Sequence, residues 1–183
     1  MADLAGNSSG NTNVTIRSAT SSEATTIAQL GARAAPLQYA GSPETPPEQY
    51  FRDMFIPRMI SDQMNNEKKT MLVAEDQAQQ IVGFTLLSRG DPSPCGPDPA
   101  GIQFWEDKKH VAIDMLYVEP SKHREGVRSE LLEAAIKMAK DEGFELAWLA
   151  VLKINKPAEQ LYKKKGFTTI GEFEEELVMA KIL

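Results

Sequence analysis

The sequence predicts a mixed α/β (α+β) domain in which a mixed central sheet of about six to seven strands is flanked by about four helices. Three observations predict it. Apolar periodicities of strand and helix type follow one another in the order β α α β β β α β α β β. The run His110–Val118 (HVAIDMLYV) is apolar almost throughout, the pattern of a strand buried in the middle of a sheet. A polar turn, a helical stretch and a second apolar run follow it, and a right-handed helical crossover of this kind joins strands that lie parallel.

Along the chain, residues 1–13 are small and polar and read as a disordered tail, so that 14–183 form a single domain. Val14 to Arg17 alternate as a first strand. Thr20 and Glu23 have capping-box spacing, and Ala24, Ile27, Leu30 and Ala34 continue as a helical face. A second box is expected at Thr45 and Glu48, with Pro46 at the first helical position. Tyr50, Phe51, Met54, Phe55 and Met59 extend that helix, and Pro57 should kink or split it. Lys69–Ala74 and Gln80–Ser88 form a hairpin. Residues 89–109 make a long loop, anchored by Phe104 and Trp105; it is either functional or an insertion without a role. Pro120 stops the strand at 110–118. The helix after it runs to about Asp141, with Val127, Leu131, Leu132, Ala135, Met138 and Ala139 on one side, and Gly143 ends it. Glu145–Leu152 is a buried strand, Asn155–Lys165 a short helix closed by Gly166, and Phe167–Phe173 with Leu177–Ile182 a final strand pair.

Composition narrows the function. The 183 residues are 42% hydrophobic and 25% charged, the balance of a globular domain long enough to bury a core. No apolar run approaches the ~20 residues of a membrane span, and the N-terminus lacks the halves of a signal peptide. The one cysteine, Cys95, excludes an internal disulfide framework. These features favour a cytoplasmic location, with the nucleus left open, and no membrane partner. The net charge of −6 argues against nucleic acid. Residues 122–165 nonetheless hold ten Lys and Arg against seven Asp and Glu, a net of +3 that leaves −9 elsewhere. A basic region within an acidic chain suits a phosphorylated ligand beside a surface attractive to cations.

The chemistry concentrates in residues 116–132, LYVEPSKHREGVRSELL. A buried strand ends at a proline, and a polar turn leads through Gly126 into a helix. Unpaired N–H groups and the helix dipole there favour an anion such as a pyrophosphate. Gly126 lets a phosphate approach the backbone, and Lys122, His123, Arg124 and Arg128 add positive charge. No GxGxxG or GxxxxGK[ST] is present, which rules out Rossmann and P-loop readings. A second group lies in 155–167, NKPAEQLYKKKGF, where Ala158, Leu161 and Tyr162 fall on neighbouring helical turns. Tyr162 is either a proton donor or a core tyrosine with a satisfied hydroxyl.

Together the two segments resemble the GNAT superfamily of N-acetyltransferases. Its strand motif Leu-x-Val-x-Pro, leading into a glycine turn, is met by Leu116, Val118, Pro120 and Gly126. Its later Asn-x-x-Ala-x-x-Leu-Tyr-x-x-x-Gly-Phe is met by Asn155, Ala158, Leu161, Tyr162, Gly166 and Phe167. The element order from 14 to 182 is similar too. Two positions depart from the pattern: His123 stands for an Arg or Gln, and Arg128 for a small residue.

The resemblance implies a GNAT-like fold and acetyl transfer from acetyl-CoA to an amine by direct attack. It implies that Leu116, Tyr117 and Val118 pair with the pantetheine arm and supply an oxyanion-binding N–H. His123, Arg124, Glu125, Gly126, Val127, Arg128 and Ser129 would hold the pyrophosphate. Asn155 would hold the arm or a water, and Tyr162 would protonate the departing thiolate. Members of the family often dimerise, so a homodimer is an expected assembly. The base is sought in Asp114, which strict alternation places on one face with Leu116 and Val118; it is either that base or a structural acid bonded across the sheet. Glu119 and His110 are weaker candidates, and no metal is assigned. Two other readings stay open: a non-catalytic module of the same fold that binds CoA, and a domain for another phosphorylated ligand. The acceptor amine is not written in the sequence.

Overall fold

The computed structural model describes residues 13–43, 45–90 and 108–183. Cys95, Phe104, Trp105, residues 1–12 and most of the expected long loop lie outside the described residues. The strands are β1 (Val14–Ser18), β2 (Lys69–Asp76), β3 (Ile81–Arg89), β4 (His110–Val118), β5 (Leu146–Leu152), β6 (Thr168–Phe173) and β7 (Glu176–Ile182). The helices are α1 (Ala24–Ala34), α2 (Glu48–Met54), α3 (Pro57–Met64), α4 (Val127–Asp141) and α5 (Lys156–Lys164). Short 3-10 turns occupy Ser21–Glu23, Ala35–Tyr39 and Pro120–Lys122. Among the described residues no helix is long and apolar enough to cross a membrane.

One seven-stranded sheet runs in the order β1-β2-β3-β4-β5-β7-β6. Every pairing is antiparallel except β4 with β5, which are parallel as the crossover through α4 requires. Side chains alternate across it. On one face Val111, Ile113, Leu149 and Met179 meet α4 through Leu131, Leu132 and Ala135, and α5 through Ala158 and Tyr162. On the other, Val73, Phe84 and Leu86 meet Ile27, Leu30, Phe51, Phe55 and Ile60 of α1–α3. Further along that second face Ala112, Trp148 and Val178 form a smaller cluster.

Local chemistry accounts for several element ends. At Thr20 the N–H donates to the Glu23 carboxylate at 2.7 Å, the reciprocal arm of the expected capping box. The expected box at Thr45 does not form. Thr45 Oγ1 donates backward to the carbonyls of Tyr39 and Ser42, at 3.1 and 2.8 Å, and α2 starts later, at Glu48 after Pro47. The preceding turn has claimed the hydroxyl. Pro57 splits the expected helix outright: α2 ends at Met54, and α3 begins with Pro57 at its first position.

Two contacts fix the height and tilt of α4. Leu131 seats directly over Gly83 of β3, where an added Cβ would stand 2.9 Å from Leu131 Cδ1 and 3.1 Å from the Tyr117 carbonyl. Beyond the far end of α4, Arg89 of β3 grips Glu142 through two bonds of 2.6 Å, a bidentate pair that holds the Glu142 carboxyl below its usual range.

Arg17 of β1 ties three elements together. It donates to Glu23, ahead of α1, at 2.6 Å and to Glu75 of β2 at 2.8 Å. The bond from Arg17, against the opposing cost of burial, brings the Glu23 carboxyl from 4.5 down to about 2. A depressed pKa of this kind stabilises the fold above pH 4.5 and loses that contribution as pH falls toward 2. Glu23→Gln is therefore expected to flatten the fall in unfolding midpoint between those two pH values, followed by urea titration in a pH series. An acid limb of unchanged slope would show that the bridge adds nothing.

Candidate active site

The ladder between β4 and β5 pairs His110 with Leu146, Val111 with Ala147 and Ala112 with Trp148, and then ends. Past this fork β4 remains paired to β3 as far as Val118, and β5 to β7 as far as Leu152. The inner edges of 113–118 and 149–152 face each other across an opening without a ladder. Buried backbone donors and acceptors need partners, and an extended ligand laid along such an edge supplies them.

A bulge decides which side chains look to which side of the opening. Met115 has φ 49°, and the register with β3 shifts between Phe84 and Leu86. Ile113, Leu116 and Val118 pack on the α4 face, whereas Met115 and Tyr117 pack with α1–α3. The extra residue breaks strict alternation, so Asp114 does not share a face with Leu116 and Val118. It lies on the opposite face, where the buried Ser88 Oγ donates to its Oδ2 at 2.6 Å. Thr85 Oγ1 donates to the Asp114 carbonyl at 3.1 Å.

The glycine turn sits at the end of β4. Arg124 (φ 71°) and Gly126 (φ 83°) are both left-handed, and Gly126 is the N-cap of the fifteen-residue α4. Without a side chain there, no cap bond reaches the first-turn amides of Val127, Arg128 and Ser129. These amides and the helix dipole converge on one space. His123 Nε2 lies 3.2 Å from the Val118 carbonyl and braces the turn against the strand. Lys122 pairs with Glu125 at 3.4 Å. Arg33 of α1 bonds the Glu119 carboxylate at 2.7 Å, which ties the α1 side to the same turn. The outer side of the turn borders a cavity of about 660 Å³ lined in part by Asp76, Gln77, Lys122, Arg124 and Gly126.

Across the opening, Asn155 caps α5 by accepting from the Ala158 N–H at 3.3 Å. Two turns on, Tyr162 is only 7% exposed, with its ring edge-on to Phe167 at 6.1 Å. Its hydroxyl makes no hydrogen bond among the described residues. Burial pushes the Tyr162 phenol up, and the positive charge of Arg128 works against that rise. Arg128 thus bears on Tyr162 from the first turn of α4.

Tyr117 stands on the other side. Its ring lies between Phe55, at 5.3 Å, and Phe84, at 5.5 Å, and its hydroxyl accepts from Gln38 Nε2 at 2.8 Å. Burial, opposed by the Gln38 bond, lifts this phenol to about 12. Gln38 also borders this region and was not legible in the sequence. Gln38 reaches Tyr117 across 79 positions of chain, and no local pattern marks such a contact. His110 is remote from the open end, at the first ladder pair before the fork.

Comparison with known proteins agrees with this geometry. The family described as "Acetyltransferase (GNAT) family" matches residues 35–167, more than half of the chain. An uncharacterized N-acetyltransferase of Mycobacterium bovis is 27% identical over 152 residues, covering 81% of this chain and 85% of that protein. The thialysine N-epsilon-acetyltransferase of Bos taurus is 29% identical over 99 residues, 51% of this chain and 58% of that one. Among solved structures, the PaiA N-acetyltransferase of Thermoplasma acidophilum, in complex with coenzyme A, superposes with a TM-score of 0.75 at 18% identity, over 93% of this chain and 99% of that chain. The forked sheet, the glycine-capped helix and the extent of the family match together establish that this chain belongs to the GNAT family of acetyltransferases.

Proposed function

We propose that this acetyltransferase moves the acetyl group of acetyl-CoA to a primary amine by direct attack. The observation that carries the reading is the fork. It opens an unpaired strand edge between a glycine-capped helix and a buried tyrosine whose hydroxyl has no partner among the described residues. The residues present fit the coenzyme. The uncapped amides of Val127, Arg128 and Ser129, the bare Cα of Gly126 and the cations Arg124 and Arg128 suit a pyrophosphate, with His123 and Glu125 framing the turn. The open edge of Leu116, Tyr117 and Val118 suits an amide-bearing arm, and the Asn155 side chain lies across from it. When bound, the coenzyme supplies an activated acyl carbon and a thiolate leaving group.

The two faces of the sheet divide the work. The coenzyme side carries Leu116, Val118 and Tyr162, and the opposite side carries Asp114 and Tyr117. The acceptor enters from the Asp114 side and meets the acyl carbon within the opening. Its nitrogen must be neutral to attack, although a free alkylamine has a pKa around 10. Asp114 takes that proton, held in place by Ser88. A backbone N–H of the 116–118 segment stabilises the negative charge that grows on the carbonyl oxygen. As the carbon–sulfur bond breaks, Tyr162 gives its proton to the sulfur. Its raised pKa keeps it protonated at neutral pH until then, and Arg128 offsets the phenolate that results.

Two variants test this in a thiol-release assay with acetyl-CoA and a panel of amines. Tyr162→Phe is expected to lower kcat by roughly 10²- to 10⁴-fold, the usual contribution of a positioned acid, while CoA affinity by calorimetry stays near wild type. Unchanged turnover removes Tyr162 from the chemistry. CoA binding without transfer to any amine favours the non-catalytic module instead. Gly126→Ala forces a Cβ into a left-handed residue, which costs about 1–2 kcal/mol, and crowds the first-turn amides. It is expected to lower both the melting temperature and CoA affinity. Wild-type affinity in that variant places the pyrophosphate elsewhere.

A further inference from the structure

The exit of β4 lacks a strand on one side, and side chains from α1 and the turn after it reach it instead. Beyond Ala112 no β5 residue pairs with β4, so Val118 is held laterally by Gly83 of β3 alone. Glu119, the next residue, has all its polar groups engaged. Its N–H donates to the Val82 carbonyl at 2.8 Å, and its carbonyl accepts from the Lys122 N–H at 2.8 Å. Both oxygens of its carboxylate accept from one guanidinium, Arg33 Nε at 3.3 Å and Nη2 at 2.7 Å. Glu119 thus joins the open edge of 116–118 to the turn that leads into Gly126.

A second tether reaches the same strand end. Gln38, in the 3-10 turn that follows α1, donates to the Tyr117 hydroxyl at 2.8 Å. Arg33 stands in the last turn of α1. The two donors therefore leave one short stretch of chain and land on residues 117 and 119, which lie roughly 7 Å apart along an extended strand. One contact fixes a position, and two at that spacing also fix a tilt. α1 does not need these bonds to stay in place. Ile27 and Leu30 are fully buried, and Gly31 lies directly against the ring of Phe55. The Arg33 side chain is 53% exposed and belongs to none of the apolar clusters. The helix is the firm partner, and the strand end with its turn is the part that gains definition.

We propose that Arg33 is a positioning residue: acting through Glu119, with Gln38 as a second hold, it keeps the strand edge at 116–118 and the glycine turn at one relative setting, so that the arm and the phosphates of one coenzyme molecule are met together. This inference rests on the coenzyme placement that accompanies the acetyl-transfer reading above. A ligand that must satisfy two places at once binds strongly only when their separation matches its own span. The Arg33–Glu119 pair adds nothing to either place alone. His123 Nε2, 3.2 Å from the Val118 carbonyl, braces the turn on the strand from within. Arg33 sets strand end and turn together against α1.

The test measures binding of CoA by calorimetry, and of pantetheine and adenosine 3′-phosphate 5′-diphosphate, its separate parts, by NMR titration. Wild type is compared with Arg33→Gln, Arg33→Lys, Glu119→Gln and the double variant Arg33→Gln with Glu119→Gln. Arg33→Gln is expected to weaken whole CoA about fivefold, the scale of one partly exposed bidentate pair, while each part binds as it does to wild type. Arg33→Lys is expected to recover some of the loss, since an ammonium keeps the charge but not the two-bond fork. Glu119→Gln is expected to lose about as much as Arg33→Gln, although removing a negative charge beside a phosphate would by itself strengthen binding. The double variant is expected to lose no more than either single one. Equal losses for CoA and both parts overturn the inference, because damage to the fold or to one place does not spare the parts. Unchanged CoA affinity in Arg33→Gln, or additive losses in the double variant, also overturns it. Failure of wild type to acetylate any amine, with the CoA affinities in the expected pattern, overturns the acetyl-transfer reading and leaves the positioning role standing.

Discussion

The ladder between β4 and β5 closes over His110–Ala112 and has nothing to continue on. Each strand is still held from outside, β4 by β3 and β5 by β7, so neither can turn inward to satisfy its own edge. The bulge at Met115 strengthens the local twist of β4 just past the fork. An unpaired strand edge inside a domain is costly unless something pairs with it. Here the opening is flanked by α4 and α5, which carry the candidate site residues, and the fold gives up sheet pairing to leave that edge open.

The helices beside the opening are held accordingly. α4 is anchored near its C-terminal end by the Arg89–Glu142 pair and along its length by Leu131, Leu132 and Ala135, all fully buried. Its N-terminal end is left bare of a side-chain cap, which leaves the first-turn amides open. α5 is treated differently: Asn155 caps it, Pro157 stands in its first turn, and Tyr162 is wedged against Phe167. One helix offers backbone groups and the other a side chain, and each is fixed by contacts away from the group it presents.

Much of this was legible in the sequence, for identifiable reasons. The central strand, the glycine turn and the Asn155–Tyr162 helix leave strong local marks: an apolar run, a Pro stop, a glycine before an amphipathic stretch. The parallel pairing of β4 and β5 follows from handedness alone. What was hidden depends on contacts far apart in the chain. Nothing in MLYV announces that Met115 takes a left-handed φ, since methionine has no preference for that region. That single torsion reverses the side of Asp114. The box expected at Thr45 failed because a hydroxyl that suits a cap also suits the turn behind it, and only the folded chain decides between them. Gln38 reaches Tyr117 through tertiary placement, which composition and periodicity do not encode.

The seat of Leu131 on Gly83 carries a mechanical consequence. The helix rides on bare backbone there, with no side chain as a spacer beneath it. Leu131 is five residues from the N-cap Gly126, about 7 Å along the axis. Even a methyl shim at position 83 would act as a fulcrum and lift the near end of α4. The uncapped first-turn amides would rise with it, out of line with the strand edge. Alignment of the two halves of a long, flexible coenzyme would then be lost without any change to a residue that touches it.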